Sequence, residues 1–112
     1  MAKRLNAHAM EGSTYIVKLT YYDEDGVAET PATMTWTLTD RSGTVINSRS
    51  DIAIAAPSTS NNIVLSGADL TIGAGGAERV LMAEGTYNST LGNGLPLRDE
   101  CWFVIDALVA FP

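Results

Sequence analysis

The sequence predicts an all-β protein, an antiparallel sandwich of about seven short strands. Apolar and polar residues alternate in several short segments, with the period of two that a half-buried strand requires. Turns rich in Gly, Asp, Asn and Ser separate these segments at roughly ten-residue spacing. No segment has the apolar period of a long helix. A chain of 112 residues is therefore expected to form one domain around one core.

The clearest strand lies around Trp36. Met34, Trp36 and Leu38 alternate with threonines, so that the three apolar side chains share one face of a strand. Residues 40–43, Asp-Arg-Ser-Gly, follow as a polar turn that ends in glycine. The pattern predicts a hairpin with Trp36 in the core.

The other elements follow from the same alternation. Residues 1–12 show no clear period, which predicts a flexible N-terminal arm or an edge segment in front of a domain at residues 13–112. One helical turn is expected at residues 66–70, and a long loop at residues 88–100. The further predicted strands are, in chain order, residues 13–22, 51–54, 62–66, 79–87 and 101–109.

The last predicted strand is apolar on both faces. Phe103 and Ile105 alternate with Trp102 and Val104, and Leu108 continues the second set. One face must fill the core, and the other would leave an apolar patch that soluble monomers usually avoid. We expect a partner or the N-terminal arm to cover it. The predicted protein interface consists of Trp102, Val104, Leu108 and Phe111.

Three segments resemble a known group of proteins. They are Thr-Trp-Thr-Leu-Thr-Asp at residues 35–40, Glu-Gly-Thr-Tyr at 84–87 and Leu-Pro-Leu-Arg-Asp-Glu at 95–100. Together they resemble the small immunoglobulin-like proteins, similar in fold to fibronectin-III domains, that tailed phages and prophages encode among their structural genes. The antibody branch is not supported, because Cys101 is the only cysteine.

The resemblance implies an immunoglobulin-like sandwich and a non-catalytic structural or assembly module of the virion. Its partners would be further copies of itself, in a homo-oligomer, or other virion structural proteins. No cofactor or metal is expected. Synthesis in the cytoplasm would precede incorporation into the particle, and no secretion signal is recognised at the start of the chain.

Composition disfavours several other partners. The net charge of −6 opposes the phosphate attraction on which nucleic-acid binding depends, and it opposes binding to anionic membrane surfaces in the same way. No apolar run reaches the length of a membrane span. A single cysteine also excludes an intrachain disulfide and a cysteine-based zinc site.

The sequence contains parts of several catalytic and metal-binding motifs. Asp23, Glu24 and Asp25 could hold calcium, but their spacing fails for an EF-hand loop, and a solvated turn explains them. The glycines at residues 73–76 lack the helix and the lysine of a phosphate loop. A dyad of His8 and Cys101 would join a loose arm to an apolar strand, where a buried inert thiol is the commoner case. No enzyme is predicted.

One alternative function stays open, an independent module that recognises carbohydrate or protein. Exposed aromatic rings can stack on sugars, and the candidates are Tyr21, Tyr22, Tyr87 and Trp102. Packing in the core and between strands accounts for the same residues.

Overall fold

The computed structural model describes residues 3–73 and 76–108 and confirms the all-β prediction. The only helix in these ranges is a 3₁₀ turn at Gly67–Leu70, where the sequence predicts one helical turn. No helix among them is long and apolar enough to cross a membrane. The strands are β1 (Lys3–Arg4), β2 (Ala9–Met10), β3 (Thr14–Thr20), β4 (Thr33–Thr39), β5 (Ile52–Ala53), β6 (Ser60–Ser66), β7 (Glu78–Ser89) and β8 (Gly92–Asp106).

The strands form two sheets. The larger has six strands in the order β1-β8-β7-β4-β5, with β2 also paired to β8, and the smaller consists of β3 and β6. All pairs are antiparallel except those of β1 and β2 with β8, which are parallel. The predicted sandwich of antiparallel strands therefore holds for the body of the fold, and the N-terminal strands add a parallel edge.

The core lies between the inner faces of the two sheets, as the period of two requires. Its largest cluster joins Val17 and Leu65 of the small sheet to Trp36, Leu81 and Phe103 of the large one. The rings of Tyr15 and Phe103 stack with their centroids 4.4 Å apart and so connect the two sheets. Met34, Trp36 and Leu38 are all buried, which confirms the predicted face of β4.

The predicted long loop at residues 88–100 is wrong. β7 and β8 form one long hairpin in which Tyr87 pairs with Leu95 and Ser89 with Gly92. The first part of β8 gives no strand signal in the sequence, because it contains turn-type residues, including Pro96. Pro96 pairs with Thr86 on one side, and β1 borders β8 only at residues 101–102, so that no neighbouring strand needs the missing amide. β8 also ends at Asp106, three residues before the predicted limit.

For residues 1–12, the described part forms the predicted edge segment. Arg4 lies opposite Trp102 and Ala9 opposite Ile105 in the parallel ladders, and the amide of Leu5 donates to the carbonyl of Trp102 at 2.8 Å. Ala9 is buried in the main core. The flexibility of this arm and the boundary at residue 13 stay predictions.

Candidate functional site

The side chains of the large sheet that point away from the core form its outer face. Thr39, Val80, Trp102 and Arg4 form one row across β4, β7, β8 and β1. Glu78 and Val104 are opposite each other in the next row. All the β7 and β8 members of these rows are partly buried. We call the surface around Trp102 the outer-face site.

Two guanidinium groups lie over the indole ring of Trp102. The central carbon of Arg41 is 4.5 Å from the ring centroid, and that of Arg4 is 5.2 Å away. Both distances fall within the range of a cation–π contact. Arg41 Nη1 also donates to Glu78 Oε2 at 3.1 Å, which holds the guanidinium against the sheet. Arginine thus covers an aromatic ring that would otherwise face water.

A cavity of about 520 Å³ lies beside this ring. Its walls combine the indole and the Val80 side chain with the carboxylates of Asp40 and Glu100 and the guanidinium of Arg41. Such a mixture of an aromatic group and convergent polar groups can bind a ligand or receive a side chain of a partner. The volume lies within the usual range for binding pockets, roughly 300–1,000 Å³.

The wall that contains Asp40 is rigidly built. Asp40 Oδ1 accepts hydrogen bonds from the Ser42 hydroxyl at 2.7 Å, the Ser42 amide at 2.9 Å and the Thr44 amide at 3.0 Å. These bonds, the Ser42 hydroxyl first, lower the pKa of Asp40. The turn predicted at residues 40–43 is therefore present, and it positions Arg41 over Trp102.

The four predicted interface residues have different surroundings. Trp102 and Val104 lie on the outer face and are partly buried. Leu108 follows the end of β8 and is 37% exposed, and its amide lies 3.4 Å from Glu11 Oε1. Phe111 lies outside the described residues. The structure therefore groups Trp102 with Val104 and places Leu108 beyond the strand.

The structure does not bring His8 and Cys101 together. His8 Nδ1 is 3.0 Å from Asp106 Oδ1, and Asp106 lies five residues from Cys101 along β8, roughly 16 Å in a strand. Cys101 is buried, and burial raises the pKa of its thiol to about 11. A thiol of that pKa remains protonated at neutral pH and is a poor nucleophile.

The acidic residues of the turn after β3 do come close together. Carboxylate oxygens of Asp23, Glu24 and Asp25 lie within 4.8 Å of one another. Two of them have partners in the protein: Asp23 Oδ1 accepts from the amides of Asp25 and Val27, and Glu24 Oε1 accepts from the Tyr87 hydroxyl at 2.9 Å. These contacts explain the cluster as a turn.

The four aromatic candidates for a sugar platform are dispersed. Tyr21 and Tyr87 are buried, whereas Tyr22 is 52% exposed. Tyr21 and Tyr22 line a cavity of about 120 Å³ that does not include Trp102. Trp102 is the only one of the four at the outer-face site.

Sequence reasoning missed the arginines of this site. Arg4 stands in the segment without a clear period, and Arg41 stands in a polar turn, where a charged residue is ordinary. Their pairing with Trp102 depends on the parallel strand β1 and on the β4–β7–β8 order, neither of which leaves a local signal. The chain matches no protein-family model, no curated protein and no solved structure at a significant level.

Proposed function

We propose that this protein is a non-catalytic module that acts by protein–protein association through the outer-face site. The observation that supports the proposal is Trp102, partly buried on a sheet face, bordered by a cavity and covered by two arginines. Tryptophan and arginine are, together with tyrosine, the residue types enriched where binding energy concentrates in protein interfaces. Val80 and Val104 supply apolar area around them.

The immunoglobulin-like assignment of the fold is part of this proposal. The strand order supports it: in this assignment β4, β7 and β8 would be strands C, F and G of the immunoglobulin sandwich, and β3 and β6 would be strands B and E. β5, next to β4, would then be the additional strand C′ of variable-type domains.

We further propose that the partner belongs to a tailed-phage particle, either a second copy of this chain or another virion structural protein. The support is the resemblance of residues 35–40, 84–87 and 95–100 to small immunoglobulin-like phage proteins. Mass spectrometry of purified particles produced from a genome that includes this gene should detect the chain. Its recovery only among unassembled proteins would contradict the virion assignment.

The association site is tested by Trp102→Glu. The new carboxylate would lie between the guanidinium groups of Arg4 and Arg41, so the monomer should stay folded while the apolar contact surface is lost. Binding to the partner, measured by sedimentation or by titration, should weaken at least about tenfold. Thr14→Glu makes the same charge change on the small sheet and should leave binding unchanged.

Equal binding by both variants would overturn the outer-face site. The alternative of carbohydrate recognition predicts a different result, namely a glycan-array signal that disappears in Trp102→Ala or Tyr22→Ala. The arginines over the Trp102 ring disfavour it, because a sugar ring would have to displace at least one guanidinium before stacking.

A further inference from the structure

The β6 edge of the two-stranded small sheet is free and unprotected. β6 pairs with β3 along all seven of its residues, and no described strand lies on its other side. The amide of Gly67 donates to the carbonyl of Ser13 at 3.1 Å, so these two residues form a hydrogen-bonded pair. Because hydrogen-bonded and non-hydrogen-bonded pairs alternate along an antiparallel ladder, the backbone groups of odd-numbered residues of β6 bond to β3. The backbone groups of Asn62 and Val64 therefore point to the free edge.

The other edges of the described sheets are short or protected. β1, β2 and β5 have two residues each. Residues 92–100 of β8 also lack a neighbouring strand on the side away from β7, but they include Pro96 and the charged residues Arg98, Asp99 and Glu100, which protect an edge. β3 presents the exposed Lys18 in the middle of its free edge, and the Tyr15 hydroxyl donates to the carbonyl of Ala7 at 2.6 Å, so the N-terminal segment runs beside it. Lysine and a covering segment are the usual protections of a strand edge.

β6 has neither protection. Its sequence, Ser-Asn-Asn-Ile-Val-Leu-Ser, contains no charged residue and no proline. A full-length, uncharged edge strand is a template for pairing with another strand. Val64 is 56% exposed and lies beside Ile16 of β3, which is 57% exposed, so an apolar pair adjoins this edge.

We propose that β6 pairs antiparallel with β6 of a second copy of this chain. A two-fold axis at Val64 would place this residue opposite its counterpart, so that each Val64 amide faces the other Val64 carbonyl and each Asn62 amide faces the Ser66 carbonyl of the second copy. The Ser66 amide stays bonded to Asp69 Oδ2 and takes no part in the pairing. The edge is complementary to itself, because the exposed apolar pair of Ile16 and Val64 would meet an identical pair across the axis. The chain has a net charge of −6, which repels a second copy in general, but β6 brings no charged side chain to the seam.

The paired strands would form one continuous four-stranded sheet, β3-β6-β6-β3. Ile16 and Val64 of both copies would then make an unbroken apolar row across its outer face. This interface lies on the small sheet and goes beyond the proposed function, which concerns the large sheet. Trp102→Glu should leave the β6 contact intact.

Amide hydrogen exchange on the unmodified chain tests the pairing. The amides of Asn62 and Val64 should become slower with increasing protein concentration, by about tenfold once nine-tenths of the chains are paired. The amides of Ile16 and Lys18, which point to the other edge of the same sheet, serve as the internal control. Equal concentration dependence at both edges, or none at β6, would overturn the proposal.

Proline substitution provides the second test. The measurement uses chains that carry Trp102→Glu, so that the outer-face site contributes no self-association. In this background Asn62→Pro removes an amide that makes no bond to β3 but would bond to the second copy, so the mass in sedimentation equilibrium should fall from two chains to one. Lys18→Pro removes the equivalent outward amide of β3 and should leave the dimer. A dimer that persists in Asn62→Pro, or an unmodified chain that sediments as one copy at every concentration, would refute pairing through β6.

Discussion

At the scale of single residues, the buried carboxylate of Asp69 connects three segments of the chain. Its side chain is 0% exposed, and Oδ1 accepts from Asn47 Nδ2 and from Arg49 Nε, both at 2.9 Å. Oδ2 accepts from the amide of Ser66 at 3.1 Å. Arg79, also fully buried, donates to the backbone carbonyl of Asp69 at 3.0 Å. The cluster anchors the 3₁₀ turn to β7 and to the loop before β5.

Asp69→Ala should lower the free energy of unfolding by about 2–3 kcal/mol, because it leaves the donors of Asn47 and Arg49 without their acceptor. The loss stays below that of a fully buried ion pair, since the Arg49 side chain is 38% exposed and can reach water. Urea denaturation measures the change. A loss below about 0.5 kcal/mol would show that the cluster contributes little.

The same carboxylate predicts a pH dependence. Burial alone would raise the pKa of Asp69, but hydrogen bonds from Arg49, Asn47 and the Ser66 amide outweigh it and lower the pKa below its ordinary value of 3.8. Since the folded-state pKa is the lower one, the stabilisation is complete above pH 3.8 and disappears as the pH falls through the folded-state value. In Asp69→Asn, the free energy of unfolding from urea melts should fall less steeply between pH 5 and 2 than in the unmodified chain. An equally steep fall in both proteins would mean that other carboxylates cause the loss of stability in acid.

At the scale of elements, Gly85 shows why two long strands can pack closely. A Cβ atom at this position would collide with the carbonyl oxygen of Thr33 on β4 and lie 2.6 Å from Met34 Sδ. The structure shows close packing, and the irregularity of the β7–β8 ladder lies further on, between Tyr87 and Ser89.

Gly85→Ala should therefore destabilise the protein by about 1–3 kcal/mol, because the backbone of Thr33 has to move away from the added methyl group. Gly73→Ala is the matched control, since open space surrounds its Cβ position and its φ is not in the left-handed region. Thermal melts of the two variants should differ clearly. Similar melting temperatures would mean that β4 and β7 separate at little cost.

At the scale of the whole molecule, Trp36 lies in the core that holds the two sheets together. It belongs to the cluster that joins β3 and β6 to β4, β7 and β8. Trp36→Ala should cost about 3–5 kcal/mol, a large part of the 5–15 kcal/mol typical of a domain. Denaturant melts test this expectation, and a cost below about 1 kcal/mol would contradict a role of Trp36 in joining the sheets.

The two proposed surfaces lie on different sheets of an elongated molecule. The described part is elongated, 54 × 25 × 24 Å, with a radius of gyration of 15.0 Å against roughly 13 Å for a compact chain of this length. The outer-face site belongs to the large sheet and the β6 edge to the small one. Because the two surfaces do not overlap, a chain that uses both could build an open assembly instead of a closed dimer.

The alternation of apolar residues determined the all-β class, the inward faces of β3, β4 and β6 and the position of Trp36, because a strand's period of two is a local property. Tertiary structure decided the strand order, the parallel pairing of β1 with β8 and the extension of β8 through Pro96. Each depends on a partner far away in the sequence. The outer-face site illustrates the division: Trp102 is recognisable from its strand, whereas Arg4 and Arg41 reach its ring only after three separate segments have folded together.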